Sequence, residues 1–219
     1  QPSRASIYTG QYPSLHGVAQ TSGAAKSAIE QDLYWLDPTT VPTLGNWFRA
    51  AGYDTYWKGK WHISEADLYQ AGSYNPLPSY NNVGGRDRYL EDIYLESSRL
   101  EQYGFVGFVG PEPHGSNPLN SGSSGPGGRG RDEVYAELGS DQLQRLRRSD
   151  KPWLLVTSFV NPHDITVWGS ASLAGDLSGS QGAFYLAQQL VGSNVPRDLF
   201  GPAYTASSNE DLSTKPVAQ

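Results

Sequence analysis

The opening ten residues, QPSRASIYTG, place a basic side chain at the start of a predicted helix of about two turns. Pro2 suits a first turn because it has no N–H to leave unpaired, and Gly10 is typical of the residue just after a helix end. Arg4 is then a cation in the first turn, where the helix macrodipole favours negative charge. Free N–H groups beside a guanidinium suit a sulfate, a phosphate or a charged nucleophile. The alternative is an ordinary surface helix with a solvated arginine.

Three further basic side chains follow predicted strands. Lys60 and His62 come after a short aromatic run, and His163 comes after a run that is almost entirely apolar or β-branched. In a parallel α/β sheet, strand ends and helix N-termini gather on one edge. We therefore expect Arg4, Lys60, His62 and His163 to converge, although they lie far apart in the sequence.

Residues 2–18, PSRASIYTGQYPSLHGV, resemble the first signature of the type I sulfatases. That signature runs Cys-x-Pro-Ser-Arg, then a small and apolar run with Thr-Gly, then Tyr-Pro and His-Gly. The matching positions are Pro2, Ser3, Arg4, Thr9, Gly10, Tyr12, Pro13, His16 and Gly17. The resemblance implies that the first residue of the signature lies immediately before Gln1. In the family this residue is a Cys or Ser oxidised to formylglycine, the catalytic nucleophile.

Two later stretches resemble the same family. Residues 52–63, GYDTYWKGKWHI, are similar to its second signature, Gly-Tyr-x-Thr followed by Gly-Lys-Trp-His. Residues 158–165, SFVNPHDI, are similar to its strand-then-Pro-His segment, which is the least specific of the three. The resemblance covers the chain from residue 1 to about residue 164.

The resemblance also implies a role for each basic residue. Arg4 and Lys60 would steady the charged nucleophile and the sulfate oxygens, and Lys60 would thereby bind substrate. His62 would bond the formylglycine hydrate, while His163 would bind the sulfate and protonate the departing alcohol or phenol. Negative charge shifts to the leaving oxygen during this reaction, so fixed cations and a proton donor lower its barrier.

The cofactor and partners that the resemblance implies lie outside this chain. Family members hold a Ca²⁺ ion with carboxylate and amide ligands upstream of the nucleophile and well downstream. Calcium takes about six to eight oxygen ligands, and no Asp-rich loop here supplies them, so we assign no metal ligand to the chain. The implied partners are a small-molecule or carbohydrate sulfate ester and a formylglycine-generating enzyme or equivalent maturase. The chain alone is expected to be inactive.

Each candidate residue also has a structural interpretation. His62 fits a satisfied structural histidine, and His163 fits a turn cap. We expect His16 to be structural and His114 to be a solvated loop histidine. Asp164 either orients His163 or caps the segment that follows.

Two other functions remain open at this point. A phosphonate monoester hydrolase or phosphodiesterase of the same superfamily uses the same nucleophile and cations. A non-catalytic homologue would keep the fold as a binding module, and an upstream residue other than Cys or Ser would favour it.

Composition limits these possibilities. A net charge of −6 argues against a general affinity for nucleic acid, which needs a basic face. No apolar run approaches the roughly 20 residues that span a bilayer. The 219 residues contain no Met, so we interpret them as an internal fragment, one partial catalytic domain over 1–219. The absence of Cys excludes disulfides and thiolate metal sites within the chain.

The helices and strands that must position the basic residues are predicted from apolar periodicity and from the residues that start and end such elements. A helix is predicted after residues 40–43, with Leu44, Trp47, Phe48 and Ala51 at helical spacing and Gly52 as its stop. Trp47 and Phe48 are expected to be core contacts. A strand over Tyr53–Trp57 is expected to follow it. Between residues 64 and 109 the pattern predicts only a weak helix over Arg86–Gln102 and a short strand over Phe105–Val109.

Residues 110–131 are rich in Gly, Ser and Pro and predict a long mobile loop. Residues 131–148 predict an amphipathic helix that buries Val134, Leu138, Leu143 and Leu146. Residues 153–160 predict a strand buried on both faces, and a short helix is expected near 184–190. The resemblance to the sulfatases implies an alkaline-phosphatase-like α/β sandwich with a mainly parallel central sheet, incomplete at both ends.

Overall fold

The computed structural model describes residues 1–22, 26–113, 120–122 and 129–163, and these form a mixed arrangement of helices and strands. In chain order the elements are α1 (Pro2–Thr9), α2 (Pro13–His16), α3 (Leu44–Ala50), β1 (Asp54–Gly59), α4 (Arg88–Ser97), a 3-10 turn (Glu101–Tyr103), α5 (Arg131–Leu146) and β2 (Trp153–Ser158). The expectations for His114, Asp164 and the helix near 184–190 fall outside the described residues.

The two strands pair in parallel, with Asp54 opposite Trp153 and Gly59 opposite Ser158. Their carboxyl ends therefore lie on the same edge of the sheet, as the sequence predicted. On the other side of β1, the strand expected over Phe105–Val109 is wrong, because only one bridge forms, between Tyr56 and Val106. A left-handed glycine at position 107, with φ of 86°, interrupts the extended backbone there.

An aromatic core fixes α1 against the sheet. Trp57, Trp61 and Phe105 are all fully buried. The Trp57 and Trp61 rings meet edge to face with centroids 4.8 Å apart, and Tyr8 of α1 approaches Trp57 at the same distance. Trp61 lies between Lys60 and His62 in the sequence, so the aromatic core that packs against α1 also anchors these two residues.

Helix α3 has the predicted capping but a different buried face. Thr43 caps the helix with a reciprocal capping box to Asn46. Trp47, predicted to be a core contact, is 62% exposed. The helix is seated instead through Gly45, where a Cβ would lie 2.6 Å from both the Gly104 carbonyl oxygen and the Phe105 ring. The close approach at Gly45 rotates Trp47 outward, which the apolar spacing could not reveal.

Helix α5 packs on the sheet largely as predicted. Val134, Leu138 and Leu146 are buried, whereas Leu143 is 45% exposed and that part of the prediction is wrong. Gly139 allows the close contact with β2, because a Cβ there would come 2.8 Å from Thr157 Oγ1. Leu143 lies next to the buried Gln142, at the rim of the buried face of the helix.

Strand β2 is only half-buried, so the prediction of burial on both faces is wrong. Trp153, the first residue of β2, is 38% exposed, and Phe159, just after the strand, is 47% exposed. Within the described residues, β1 is the only strand paired with β2, which leaves its other edge without a neighbour. In the part of the chain described here, no helix is long and apolar enough to cross a membrane.

Candidate functional site

Arg4 joins α1 to the ends of both strands. Its Nε donates to the Trp61 carbonyl oxygen at 2.7 Å, and its Nη2 donates to the Lys60 carbonyl oxygen and, at 2.8 Å, to Ser158 Oγ. Burial lowers the pKa of the Arg4 guanidinium, while the charge of Glu112 opposes that shift. The guanidinium stays a cation and fixes the start of α1 to the sheet edge.

Lys60 is buried at this edge, with 6% of its surface exposed. Its N–H donates to the Ser158 carbonyl oxygen at 2.9 Å, so the backbone of Lys60 is held on both sides by β2 and Arg4. The backbone of Lys60 therefore lies directly beside the guanidinium at the start of α1.

His62 occupies a strained position in the same turn. Its φ of 53° lies in the left-handed region, which is unfavourable for a residue with a side chain. Its Nε2 lies 3.0 Å from Ser22 Oγ, and its ring centroid lies 6.2 Å from that of Trp35. Ser22 is buried, and its N–H donates to Gln1 Oε1 at 2.9 Å, which ties His62 back to the start of α1. Sequence reasoning missed Ser22, because it lies in a stretch of small polar residues.

Glu112 is a second residue of the candidate site that sequence reasoning missed. It is 5% exposed, and its Oε1 accepts the N–H groups of Trp61 at 2.9 Å and His62 at 2.7 Å. Burial raises the pKa of Glu112 to about 7, and the charge of Asp67 raises it further, against the opposing effects of the His62 N–H, Arg4 and Lys60. One available signal was an acid between two prolines directly after the apolar run FVGFVG.

The stretch that contains Glu112 is not a solvated loop in its described parts. Residues 110–113 and 120–122 are buried. The prediction of a long mobile loop is therefore wrong for these residues, because polar groups from several segments satisfy their backbone. Ser79 Oγ donates to the Gly110 carbonyl oxygen, and Asn120 Nδ2 donates to the Glu112 carbonyl oxygen at 2.7 Å.

His163 lies in the turn that follows β2, at the same sheet edge. Its N–H donates to the Val160 carbonyl oxygen at 3.0 Å, and the residue is exposed. Asp132 at the start of α5 holds this turn by accepting the N–H groups of Val160 at 2.6 Å and Asn161 at 3.0 Å. The fold thus links Arg4, Lys60 and His62 through one hydrogen-bond network, and it places His163 at their edge through the backbone.

His16 has the structural role expected of it. It is 1% exposed, its Nδ1 accepts the Val18 N–H at 3.1 Å, and its Nε2 lies 3.0 Å from Ser6 Oγ. Burial lowers the pKa of His16, so the ring is held neutral with its proton on Nε2. It joins α1 to α2 and does not face the site.

A second cationic region lies on the outer side of α5. We define the arginine cleft as an open cleft of about 930 Å³ lined by Arg88, Asp141, Gln144, Arg145, Arg147 and Arg148. The first turn of α5 contacts the turn after β2, and its last turn lines this cleft. The cleft therefore lies at the far end of the helix, remote from Arg4 and His62.

The described residues do not fit a calcium ion. Within the described ranges, no group of three or more His, Asp or Glu side chains is arranged to hold a metal. Calcium takes about six to eight oxygen ligands, which these residues do not bring together.

The chain is similar to proteins named as sulfatases over most of its length. A sequence model of the family described as Sulfatase matches residues 1–188. "Uncharacterized sulfatase YidJ" from Escherichia coli (strain K12) is 25% identical over 168 residues, and "Uncharacterized sulfatase YdeN" from the same organism is 30% identical over 171 residues. Each match covers 74% of this chain but only 28% and 27% of those relatives, respectively, so it spans less than a third of their length.

Proposed function

The chain belongs to the sulfatase family, and on that premise we propose that it forms part of the catalytic domain of an enzyme that hydrolyses sulfate monoesters. Its helices and parallel strand pair belong to the alkaline-phosphatase-like sulfatase fold. Family membership supports a hydrolase, and the geometry of the sheet edge supports the assignment of individual residues.

The observation that carries the proposal is that Arg4 joins the start of α1 to the ends of both strands. Its guanidinium bonds the Lys60 and Trp61 carbonyl oxygens and Ser158 Oγ, so a residue before Gln1 would enter at a sheet edge that carries two cations. A formylglycine at that position would lie beside two fixed cations, and these stabilise a charged nucleophile. When present, this group supplies a hydrated aldehyde that attacks sulfur and later releases sulfate, so that the hydrolysis proceeds in two steps.

The residues of this chain would act on charge and protons. Lys60 would bind the sulfate oxygens, since an ammonium ion in a water-poor site strongly stabilises an anion. Arg4 bonds the turn after β1 through Nε and Nη2. It would therefore contribute its positive charge to the site and would also orient Lys60. His62 would hold the nucleophile through a ring hydrogen bond. His163 would bind the sulfate and donate a proton to the leaving alcohol or phenol.

Calcium enters the proposal only through the family, whose members generally use it. The described residues do not assemble its ligands, so we expect those ligands in other parts of the protein. Removal of calcium therefore gives no test of Arg4, Lys60 or His62.

Peptide mass spectrometry of the full-length protein across the segment that contains Gln1 tests the nucleophile. We expect a Cys or Ser before Gln1 that is wholly or partly converted to the aldehyde. Any other residue there would overturn the formylglycine assignment and would favour a non-catalytic homologue.

Hydrolysis assays then test the substrate class. An aryl sulfate should be cleaved faster than an aryl phosphonate monoester, and Lys60→Ala should remove the activity. Lys151→Ala is the matched control, because Lys151 is an exposed lysine that pairs with Asp54 at the opposite edge of the sheet. Faster cleavage of the phosphonate would assign the chain to the phosphonate hydrolases of the superfamily.

A further inference from the structure

Glu112 makes an unusual contact with the turn that carries the proposed site. A single carboxylate oxygen, Oε1, accepts two consecutive N–H groups, from Trp61 at 2.9 Å and from His62 at 2.7 Å. Consecutive N–H groups converge on one anion only where the backbone curls into a concave nest. The turn after β1 is therefore shaped around this carboxylate.

The conformation of His62 depends on that contact. Its φ of 53° is a backbone conformation that side-chain-bearing residues rarely adopt unless their surroundings impose it. Glu112 supplies part of that constraint, because it holds the N–H groups of Trp61 and His62 and so fixes the peptide plane from which φ of His62 directs the side chain. The direction in which the imidazole leaves the backbone is set by the same angle.

Glu112 is itself held from two further directions. Its N–H donates to Asp67 Oδ1 at 2.6 Å, and its carbonyl oxygen accepts Asn120 Nδ2 at 2.7 Å. The side chain is almost fully buried, and its second oxygen, Oε2, has no hydrogen-bond partner. A buried acid oxygen without a partner costs stability, so the two N–H bonds at Oε1 are the contacts that hold this carboxylate in place.

The charges around Glu112 couple it to the proposed site. Arg4 on α1 and Lys60 after β1 favour its ionised form, whereas Asp67 disfavours it. From α5, the Tyr135 hydroxyl also faces it, and the pKa of Tyr135 is raised mainly by burial and partly by the charge of Glu112. Ionised Glu112 accepts the two N–H groups more strongly than the protonated acid does.

We propose that Glu112 is a positioning residue that fixes the turn from Lys60 to His62 and thereby orients the His62 imidazole toward the nucleophile. This inference rests on the function proposed above. Glu112 does not touch the substrate in this role, and it acts through the backbone of Trp61 and His62 and through its charge.

Two substitutions separate the hydrogen bonds from the charge. Glu112→Gln keeps an acceptor oxygen but loses the negative charge, whereas Glu112→Ala loses both. Glu96→Ala is the control, because Glu96 is an exposed acid on α4. The full-length protein is used throughout, and Glu112→Gln keeps the test decisive if Glu112→Ala does not fold.

Amide hydrogen exchange measured by NMR gives the first readout. Loss of a hydrogen bond to a charged acceptor should speed exchange of the Trp61 and His62 amides about tenfold or more in Glu112→Ala. In Glu112→Gln we expect a smaller loss of protection, and the protection factors of the two amides should no longer change with pH near 7. Unchanged exchange at both amides in both variants would overturn the proposal.

Kinetics give the second readout. If Glu112 is a positioning residue, Glu112→Ala should lower kcat about tenfold or more, with a smaller effect on KM. In the wild type, kcat should rise with pH through about 7 as Glu112 ionises, and Glu112→Gln should lack this rise. An equal loss of kcat at all pH values in Glu112→Gln, or no loss in either variant, contradicts the positioning role. If the wild-type protein cleaves neither ester, the function proposed above fails, while hydrogen exchange still decides whether Glu112 shapes the turn.

Discussion

Two buried lysines, one within β1 and one just after the strand, lie in regions that use charge differently. Lys58 and Lys60 are both 6% exposed, and only Gly59 separates them. Lys58 Nζ donates to the Gly107 carbonyl oxygen at 2.7 Å, under the α4–α5 side of the sheet. Lys60 lies at the sheet edge, where its charge reaches the start of α1 and the carboxylate of Glu112. We call the two regions the helix side and the site edge.

Acids are used differently in the two regions. On the helix side, Glu91 and Asp141 bond Arg86 directly, at 2.6 Å and 2.7 Å, so carboxylates neutralise cations there. At the site edge, Glu112 Oε1 accepts hydrogen bonds from backbone N–H groups of the turn. Burial of a cation therefore does not identify a functional site. What distinguishes the site edge is that its acid shapes the backbone around the cations.

The contrast is tested most strongly by substituting the two lysines in turn. Lys60→Met should lower kcat about 100- to 1,000-fold, the effect typical of removing one group that stabilises transition-state charge. Lys58→Met should leave kcat near that of the wild type, because Lys58 faces the helix side. Steady-state kinetics and thermal unfolding of both variants provide the measurement. Equal losses of kcat would show that the two regions are not functionally distinct.

The two regions should also respond to pH in opposite directions. Burial raises the pKa of Glu112 from 4.5 to about 7, so the folded state binds more protons than the unfolded state between those values. Stability should therefore fall as pH rises from about 4.5 to about 7, by an amount on the order of 3 kcal/mol. Glu112→Gln should abolish this fall.

The lowered pKa of Lys58 predicts that stability depends on pH in the opposite direction at alkaline pH. Burial lowers its pKa from 10.5 to about 8, and the charge of Arg145 lowers it further. The unfolded state then binds more protons between these values, so stability should rise as pH increases from about 8 to about 10.5, again on the order of 3 kcal/mol. Urea titrations of the wild type and Lys58→Met over this range measure the effect. A flat profile in the wild type would contradict the burial of an ionised Lys58.

Arg4→Lys should have a moderate effect that is confined to the site edge. Lysine keeps the positive charge but loses the planar fork that bonds two carbonyl oxygens and Ser158 Oγ. We expect a loss of stability of about 1–3 kcal/mol, with a reduced kcat as the turn loosens. Chemical denaturation and kinetics of the same variant report the two effects, and unchanged stability would show that the fork does not hold the strands.

The smallest effect is expected from an ion pair outside both regions. Arg49 and Glu101 meet at 2.7 Å, but their side chains are 30% and 54% exposed. Glu101→Gln should change stability by less than about 1 kcal/mol, because solvent screens exposed pairs. Thermal unfolding provides the measurement. A larger loss would mean that exposed pairs stabilise this chain as much as buried ones.

Much of the local structure could be predicted from the sequence. Helix α1 starts at Pro2 and ends before Gly10, and α3 starts after its Thr43 cap, as the caps indicated. The parallel strand pair and its shared edge also follow the prediction. Caps, glycine stops and apolar periodicity act over a few residues, so they can be read without knowing the fold.

Exposure and long-range partners were predicted less well. Trp47 faces outward because Gly45 makes the close contact of α3, and Leu143 lies at the rim of the buried face of α5. Apolar spacing does not show which face a neighbour will cover. Glu112 and Ser22 were missed because residues rich in turn formers predict a loop whether or not the loop is buried. The assignments of Arg4, Lys60, His62 and His163 as site residues remain predictions.

The sequence by itself determined the family, the order of the elements and the set of basic residues at the sheet edge. Only the tertiary structure decided which groups these residues bond. Arg4 meets Ser158 across 154 positions of sequence, and His62 meets Glu112 across 50. Such pairs form because the packed core brings distant backbone and side-chain groups together without water, where each buried polar group must find a partner. No local pattern encodes that choice.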